Sequence, residues 1–471
     1  LTATEPNLSE FWRKFVLVEH RTKALERRFG TVQLYSLQRT RIFYAIAEQL
    51  GLFDNPHPHF NKPEPLAGVP AIAELEGLAP SESVVIPFRR RVDGTDPYSD
   101  VILRRLQSAG ESVRVIDFRP RIDGDGSFAP TSPDELDLER LREYFVASTA
   151  DRVARIMKYT SRRPQVQGWQ RLIAEFETAF DIKLEKFQKY PQWLVRRTLA
   201  DRIGFAELFK KLGTKDLFLV NAYSEPSIVI GAHRAGVKVH EIQHGFISVF
   251  HPAYSFGAML SDSRTRAPKL DAAPDTILTW GSFWGSGLTL ARRTKLLVSG
   301  PTAPFLEYQK KALAEKRITA NQILFTSQGA IANELFDAAL KTAVALPDHK
   351  VIYRLHPNES LADFEVLLAE AATAGVPTPK NFSLSHRDPI FLDLVSRSEY
   401  LIGAFSTTLF EGLALGCKVL VLPISGYENV QPAIDAGDIT LITSLDDLPT
   451  ALAAARRAEH PEKYYAKEDH A

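Results

Sequence analysis

The chain has 471 residues, enough for two or three domains at about 150 residues each, which excludes a single small module. Its 57 Lys and Arg balance 57 Asp and Glu, so there is no global basic field to draw it onto nucleic acid, which is excluded as a main partner. The single cysteine, Cys417, permits neither an internal disulfide nor a cysteine-built metal site and fits a reducing, cytoplasmic compartment.

No run of about 18 apolar residues occurs, so no membrane-spanning helix is predicted. The chain begins at Leu1, and an upstream segment is left open. Ser9 to Leu52 reads as helices mixing aromatic and basic residues: Phe11, Trp12, Arg13, Lys14 and Phe15, then Tyr35, Arg39, Arg41, Phe43 and Tyr44. The preferred reading is helices packed on their own domain with snorkelling basic side chains. The alternative is peripheral contact with the anionic inner face of the cytoplasmic membrane. Five prolines between Pro56 and Pro70 then mark a connector.

Short apolar runs at Ser83–Phe88 and Ser112–Phe118 follow, then a helical insertion over about 134–211 that carries Trp169, Phe176, Phe180 and Trp193 and no strand-like run. Strands resume at Leu217–Asn221, Val237–Gln243 and Thr276–Trp280. A second series opens at Lys295–Ser299 and continues through Gln322–Thr326, Lys350–Leu355, Tyr400–Gly403, Val419–Pro423 and Ile439–Ile442. Strands alternating with helical patterns predict an α/β chain of two Rossmann-like, doubly wound domains facing a cleft. The expected division is 1–70 for N-terminal helices and linker, 71–300 for a first domain with the insertion, and 301–471 for a second domain. In such sheets ligands bind beyond the carboxyl ends of the strands.

Dinucleotide, Walker and paired-histidine metal motifs are missing. Asp123-Gly124-Asp125 lies in a Pro/Gly-rich loop and reads as an acidic turn, so no metal is expected. The informative segments are strand ends. Glu241-Ile242-Gln243-His244-Gly245 stops a strand at an imidazole followed by a residue that lets the backbone turn sharply, making His244 a candidate base or phosphate contact. The bland reading is a histidine hydrogen-bonded in a turn. Tyr353-Arg354-Leu355-His356-Pro357 ends a strand at proline, and alternation puts Arg354 and His356 on one side, facing a phosphate.

Gly403 to Gly412 contains a strand end, the hydroxyl run Ser406-Thr407-Thr408 and a helix start, a natural anion site as well as a cap. Glu411 is expected on the first turn of that helix, placed to accept from a ribose or sugar hydroxyl. Ser327, Gln328 and Gly329 end another strand, where small residues permit close backbone approach to a ligand. Three such strand ends in the carboxyl-terminal half are what a nucleotide phosphate requires.

Taken together, these segments resemble bacterial GT-B glycosyltransferases of surface polysaccharide synthesis. Arg354-Leu355-His356-Pro357 and Ser406-Thr407-Thr408 are similar to the His-Pro and Ser/Thr motifs of sialyltransferases and capsule Kdo transferases, and His-Gly with His-Pro is similar to teichoic-acid glycerophosphotransferases. The resemblance spans about 217–423 and implies a metal-independent transferase with no cofactor. Its substrates would be a nucleotide-sugar donor, a CMP-activated acid favoured over UDP- or GDP-sugars, and a glycan or lipid-linked glycan acceptor. The acidic base motif of several sialyltransferases has no counterpart here, which leaves His244 or Glu225 as the expected base in an inverting transfer. Alternatives are a CDP-glycerol-type polyol-phosphate transferase, a nucleotide-sugar epimerase and a non-catalytic scaffold.

Overall fold

The computed structural model describes residues 7–52, 75, 78–87, 113–117, 136–257, 267–301, 303–315, 318–356, 359–373, 375, 377–386 and 389–465. The connector at 56–70, the Asp123-Gly124-Asp125 turn and Pro357 lie outside them.

The chain opens with α1 (Leu8–Thr22), capped by Asn7, whose side chain accepts from the Ser9 and Glu10 N–H groups at 2.8 and 3.3 Å. Leu8, Phe11, Trp12 and Phe15 recur at helical spacing and are buried, Phe11 packing on Phe43 of α2 (Leu34–Gln49) at 4.9 Å between ring centroids. Arg39 of α2 is buried too, its guanidinium forked onto Glu19 at 2.6 and 2.7 Å. Phe11, Trp12, Phe15, Tyr35, Phe43 and Arg39 thus form a packed core rather than an outward apolar face, while Arg13 and Lys14 stay exposed.

The first sheet comprises β1 (Ser83–Ile86), β2 (Val113–Asp117), β3 (Leu136–Asp137), β4 (Asp216–Leu219), β5 (Lys238–Ile242), β6 (Thr276–Thr279) and β7 (Lys295–Val298). All pairs are parallel, in the order β3-β2-β1-β4-β5-β6-β7. Between β3 and β4 stands the insertion, made of α3 (Leu138–Ser148), α4 (Ala150–Thr160), α5 (Arg163–Phe180), the short α6 (Glu185–Gln188) and α7 (Gln192–Leu212). Helix α8 (Pro226–Ala235) crosses from β4 to β5.

After α9 (Ala303–Ala314), the second sheet is built from β8 (Thr319–Thr326), β9 (Lys350–Arg354), β10 (Phe382–Ser385), β11 (Ser398–Gly403), β12 (Lys418–Val421) and β13 (Thr440–Leu441). The helices between its strands are α10 (Ala332–Ala345), α11 (Leu361–Thr373), α12 (Phe391–Arg397), α13 (Thr407–Ala414) and α14 (Gln431–Asp435), and α15 (Leu448–Ala454) follows β13. The order is β10-β9-β8-β11-β12-β13, again parallel throughout. Both faces are covered, so the central strands read as continuous apolar runs: Ile323 and Phe325 enter one core cluster and Leu324 another.

Two details depart from the sequence reading. Lys295–Val298 closes the first sheet as its edge strand rather than opening the second series. Strands β3 and β10 were not anticipated; both are short edge strands, and β10 alternates Phe382-Ser383-Leu384-Ser385 instead of forming an apolar run.

The carboxyl edges of the two sheets face each other. Phe246, beyond β5, packs on Phe410 of α13 at 5.5 Å between centroids, and Ser248 Oγ donates to Asn429 Oδ1, beyond β12, at 2.6 Å. The segment around Tyr464 returns to the first domain, its carbonyl accepting from Trp284 Nε1 at 2.8 Å. Two doubly wound parallel sheets so apposed constitute the GT-B architecture.

Candidate functional site

In a sheet of order 3-2-1-4-5-6 the crossovers reverse direction beside the first strand, which opens a crevice between the loops leaving strands 1 and 4. In the second sheet these are β8 and β11. Strand β8 ends at Thr326 and its loop carries Ser327-Gln328, while the loop after β11 carries Ala404-Phe405-Ser406 and leads into the start of α13.

The loops are joined directly. Thr408 Oγ1 donates to Thr326 Oγ1 at 3.3 Å, and the Phe405 N–H donates to Gln328 Oε1 at 3.2 Å. Ser406 is the N-cap of α13, in extended backbone, its Oγ accepting from the Thr408 N–H at 3.3 Å. Phe405, Ser406, Thr407 and Thr408 are all half-buried, and Gly329 is exposed with open space where a Cβ would stand. Glu411 begins the second turn of α13 rather than lying in its first. A side chain there leans back over positions 407 and 408, toward the hydroxyl run.

The β9 loop joins through a residue that the sequence reading passed over. Glu359 accepts from Ser327 Oγ at 2.7 Å with one carboxylate oxygen and from the His356 N–H at 2.6 Å with the other. Tyr353 Oη lies 2.9 Å from Ser327 Oγ and holds it from below. His356 is thereby tethered to Ser327, exposed at the rim of the crevice. Arg354 occupies the same face as Thr326, its register partner, but it is buried and its Nη1 donates to Ser385 Oγ at 2.9 Å and to the Pro389 carbonyl at 2.8 Å. That guanidinium secures the β10 loop, and the expected pairing of Arg354 and His356 on one surface is not what the strand end provides.

Across the cleft, His244 is half-buried two residues beyond β5, in the loop whose Phe246 packs on Phe410 of α13. Gly245 does not adopt a left-handed conformation, so the chain turns here without that use of glycine. Glu225 sits in the β4–α8 loop but is buried against Arg142, with which it forms an ion pair. Asp201 shares the same guanidinium at 3.3 Å, and Glu139 at 3.1 Å. With two fully buried acids on one arginine, burial outweighs the attraction and raises both carboxyl pKa values. Glu225 is therefore a buried partner of Arg142 in the insertion.

A cavity between the N-terminal helices and the first domain is lined by Ser36, Arg39, Tyr223, Glu241, Tyr254 and Thr294, and none of its lining comes from the β8 or β11 loops. Glu241 accepts from Tyr254 Oη at 2.6 Å, and burial pushes its carboxyl up to about 7 against that hydrogen bond. A carboxyl poised near neutrality can take up a proton, a capacity that the sequence signals only by a charged residue within an apolar strand. Among the described residues no group of three or more His, Cys, Asp or Glu could hold a metal ion, and no helix is long and apolar enough to cross a membrane.

No family model and no curated protein matches the chain. Among solved structures, it is similar to a glycosyltransferase from Rickettsia africae (11% identity, 79% of this chain and 87% of that one, TM-score 0.41). It is also similar to UDP-GlcNAc 2-epimerase from Neisseria meningitidis (16%, 81% and 92%, 0.42) and to a trehalose-phosphate synthase from Burkholderia vietnamiensis (13%, 82% and 93%, 0.40). At these values the likeness carries no weight of its own; the architecture rests on strand order and on the loops that face each other.

Proposed function

We propose that the protein is a glycosyltransferase that moves a sugar from a nucleotide donor, held by the second domain, to a hydroxyl of a bacterial surface glycan held by the first. The observation that carries this reading is the hydrogen-bonded continuity of the β8, β9 and β11 loops, from His356 through Glu359 and Ser327, and from Gln328 through Phe405 to Ser406 and Thr408. Such a rim offers hydroxyls and the start of a helix to one phosphate group.

In this reading Ser406, Thr407 and Thr408 hold the donor phosphate, and His356 donates to the charge that grows on it as the glycosidic bond breaks, the contribution expected to dominate. Ser327, Gln328 and Gly329 line the approach, and Glu411 accepts from a donor hydroxyl. His244 takes the proton of the attacking hydroxyl, since the Glu225 carboxylate is bound by Arg142. The direction of attack is inverting. A CMP-activated acid such as Kdo or sialic acid is the favoured donor, on the likeness of Arg354-Leu355-His356-Pro357 to transferases that use one.

A thermal-shift series with CMP, CDP, UDP, GDP and TDP, followed by turnover with the sugar of the stabilising nucleotide, tests the proposal. One nucleotide should stabilise the chain selectively, and His356→Ala should keep that stabilisation while losing transfer. Full turnover by the variant, or a wild type indifferent to every nucleotide, would remove the assignment.

A further inference from the structure

We propose that the helical insertion of the first domain docks on an anionic lipid bilayer through the surface formed by the α4–α5 turn and the start of α7. The chain carries no net charge, yet residues 155–163 contain four Lys or Arg and residues 186–196 three, with no Asp or Glu in either segment. The fold places the segments together. Arg152 pairs with Glu207 near one end of α4, and Tyr190 Oη donates to the Thr160 carbonyl at 2.7 Å at the other. These contacts make α4 and α7 antiparallel neighbours, so Tyr159 and Trp193 lie at the same end.

Lys158, Arg162, Arg163, Lys189 and Arg196 are exposed there. Tyr159 is 60% exposed and Trp193 42%, although each is large and apolar enough to favour burial. The Arg162 guanidinium stacks on the Tyr159 ring at 4.5 Å, which presents charge and ring on one surface. Of the nearby acids, Glu177 is occupied by the Leu184 N–H and by Gln188, Glu139 is paired with Arg197, and the exposed Glu185 sets one negative charge against the seven Lys and Arg of the two segments. Exposed Trp and Tyr amid an excess of exposed Lys and Arg match the headgroup layer, where rings sit at the interface and cations meet acidic lipids. The α1 and α2 aromatics supply no such surface, because Phe11, Trp12 and Phe15 are buried. The inference stands independently of the donor or reaction proposed above.

The test is cosedimentation of the full chain with vesicles of phosphatidylcholine alone and of phosphatidylcholine with about one-third phosphatidylglycerol, at low and high salt. Wild type should sediment only with the anionic vesicles and be released by salt. Each Lys or Arg near such a surface is worth about fivefold in partitioning. The triple variant R162E/R163E/K189E should therefore lose about 100-fold or more, and W193A several-fold, with unchanged thermal unfolding. Wild type left in the supernatant with anionic vesicles overturns the proposal. So does a triple variant that sediments like wild type, or wild type that binds heparin but no vesicle.

Discussion

Thr326 and Thr408 meet across the reversal of the second sheet, their Oγ1 atoms 3.3 Å apart, one ending β8 and the other in the first turn of α13. Gly403 makes this approach feasible: a Cβ there would stand 3.1 Å from Thr326 Oγ1 and 3.1 Å from Leu409 Cδ2. The helix start is thus pinned to the strand end before any ligand arrives. A pre-positioned anion site spends less binding free energy on ordering its own groups.

Ser406 carries both the cap and the proposed phosphate contact. Ser406→Ala should cost about 1 kcal/mol of stability from the lost cap and weaken the stabilising nucleotide roughly tenfold, as expected for a hydrogen bond to a charged group. Denaturant titration without ligand reads the first effect and calorimetry the second. A variant with the lost stability but unaltered nucleotide affinity would reduce Ser406 to a cap alone.

Glu359 links the His356 and Ser327 loops through its two oxygens, and only a carboxylate can accept both donors. Glu359→Gln replaces one acceptor with an amide N–H2, which breaks the bond if it faces the His356 N–H and reverses its direction if it faces the Ser327 hydroxyl. Transfer should fall at least tenfold in kcat while overall stability changes by no more than about 1 to 2 kcal/mol, and amide exchange at His356 should accelerate. Exchange at wild-type rates in the variant would mean that the tether is idle.

The pattern of what the sequence disclosed has a physical basis. Ile323-Leu324-Phe325 is buried on both faces, so composition alone reveals a central strand. Phe382-Ser383-Leu384-Ser385 lies at an edge and keeps its serines, which hides it. Lys295–Val298 was visible as a strand, but sheet membership depends on pairing with Thr276–Thr279, which no local pattern encodes. Hydroxyls between a strand and a helix are a local signal, so the strand-end place of Ser327 and the helix-start place of Ser406 to Thr408 were legible. Glu359, three residues beyond a histidine, looks like a solvated loop charge until Ser327 is folded against it. Glu225 likewise looked available, because Arg142 lies 83 residues away in the insertion.

Glu241 makes stability depend on pH in a sign opposite to that of a salt-bridged acid. Its carboxyl titrates near 7 when folded, against 4.5 as an ordinary glutamate, so the unfolded chain ionises first as pH rises. Below about 4.5 the residue is neutral in both states; between there and about 7 stability is lost, by up to about 3 kcal/mol in total. Glu241→Gln keeps an acceptor for Tyr254 and cannot ionise. Its unfolding free energy should lack this downward slope and exceed that of wild type at pH 8. Parallel profiles for the two proteins would show that burial does not raise the folded carboxyl above its ordinary value.

Gly426 links the conformation of the β12 loop to the start of α13. Its φ of +99° is one that side-chain-bearing residues rarely adopt, and a Cβ would stand 2.5 Å from the ring of Phe405, next to Ser406. The same loop accepts the Leu8 N–H on Glu428 Oε1 at 3.1 Å and donates from Ser425 Oγ to the Leu52 carbonyl at 2.9 Å, which joins the N-terminal helices to the second domain. Gly426→Ala should therefore cost about 1 to 3 kcal/mol in strain and displace Phe405. Since the Phe405 N–H is bonded to Gln328, the nucleotide should bind more weakly than the stability loss alone explains. Thermal unfolding with and without the stabilising nucleotide separates the two effects: a ligand-induced shift as large as that of wild type would show that the β12 loop supports the fold without shaping the crevice.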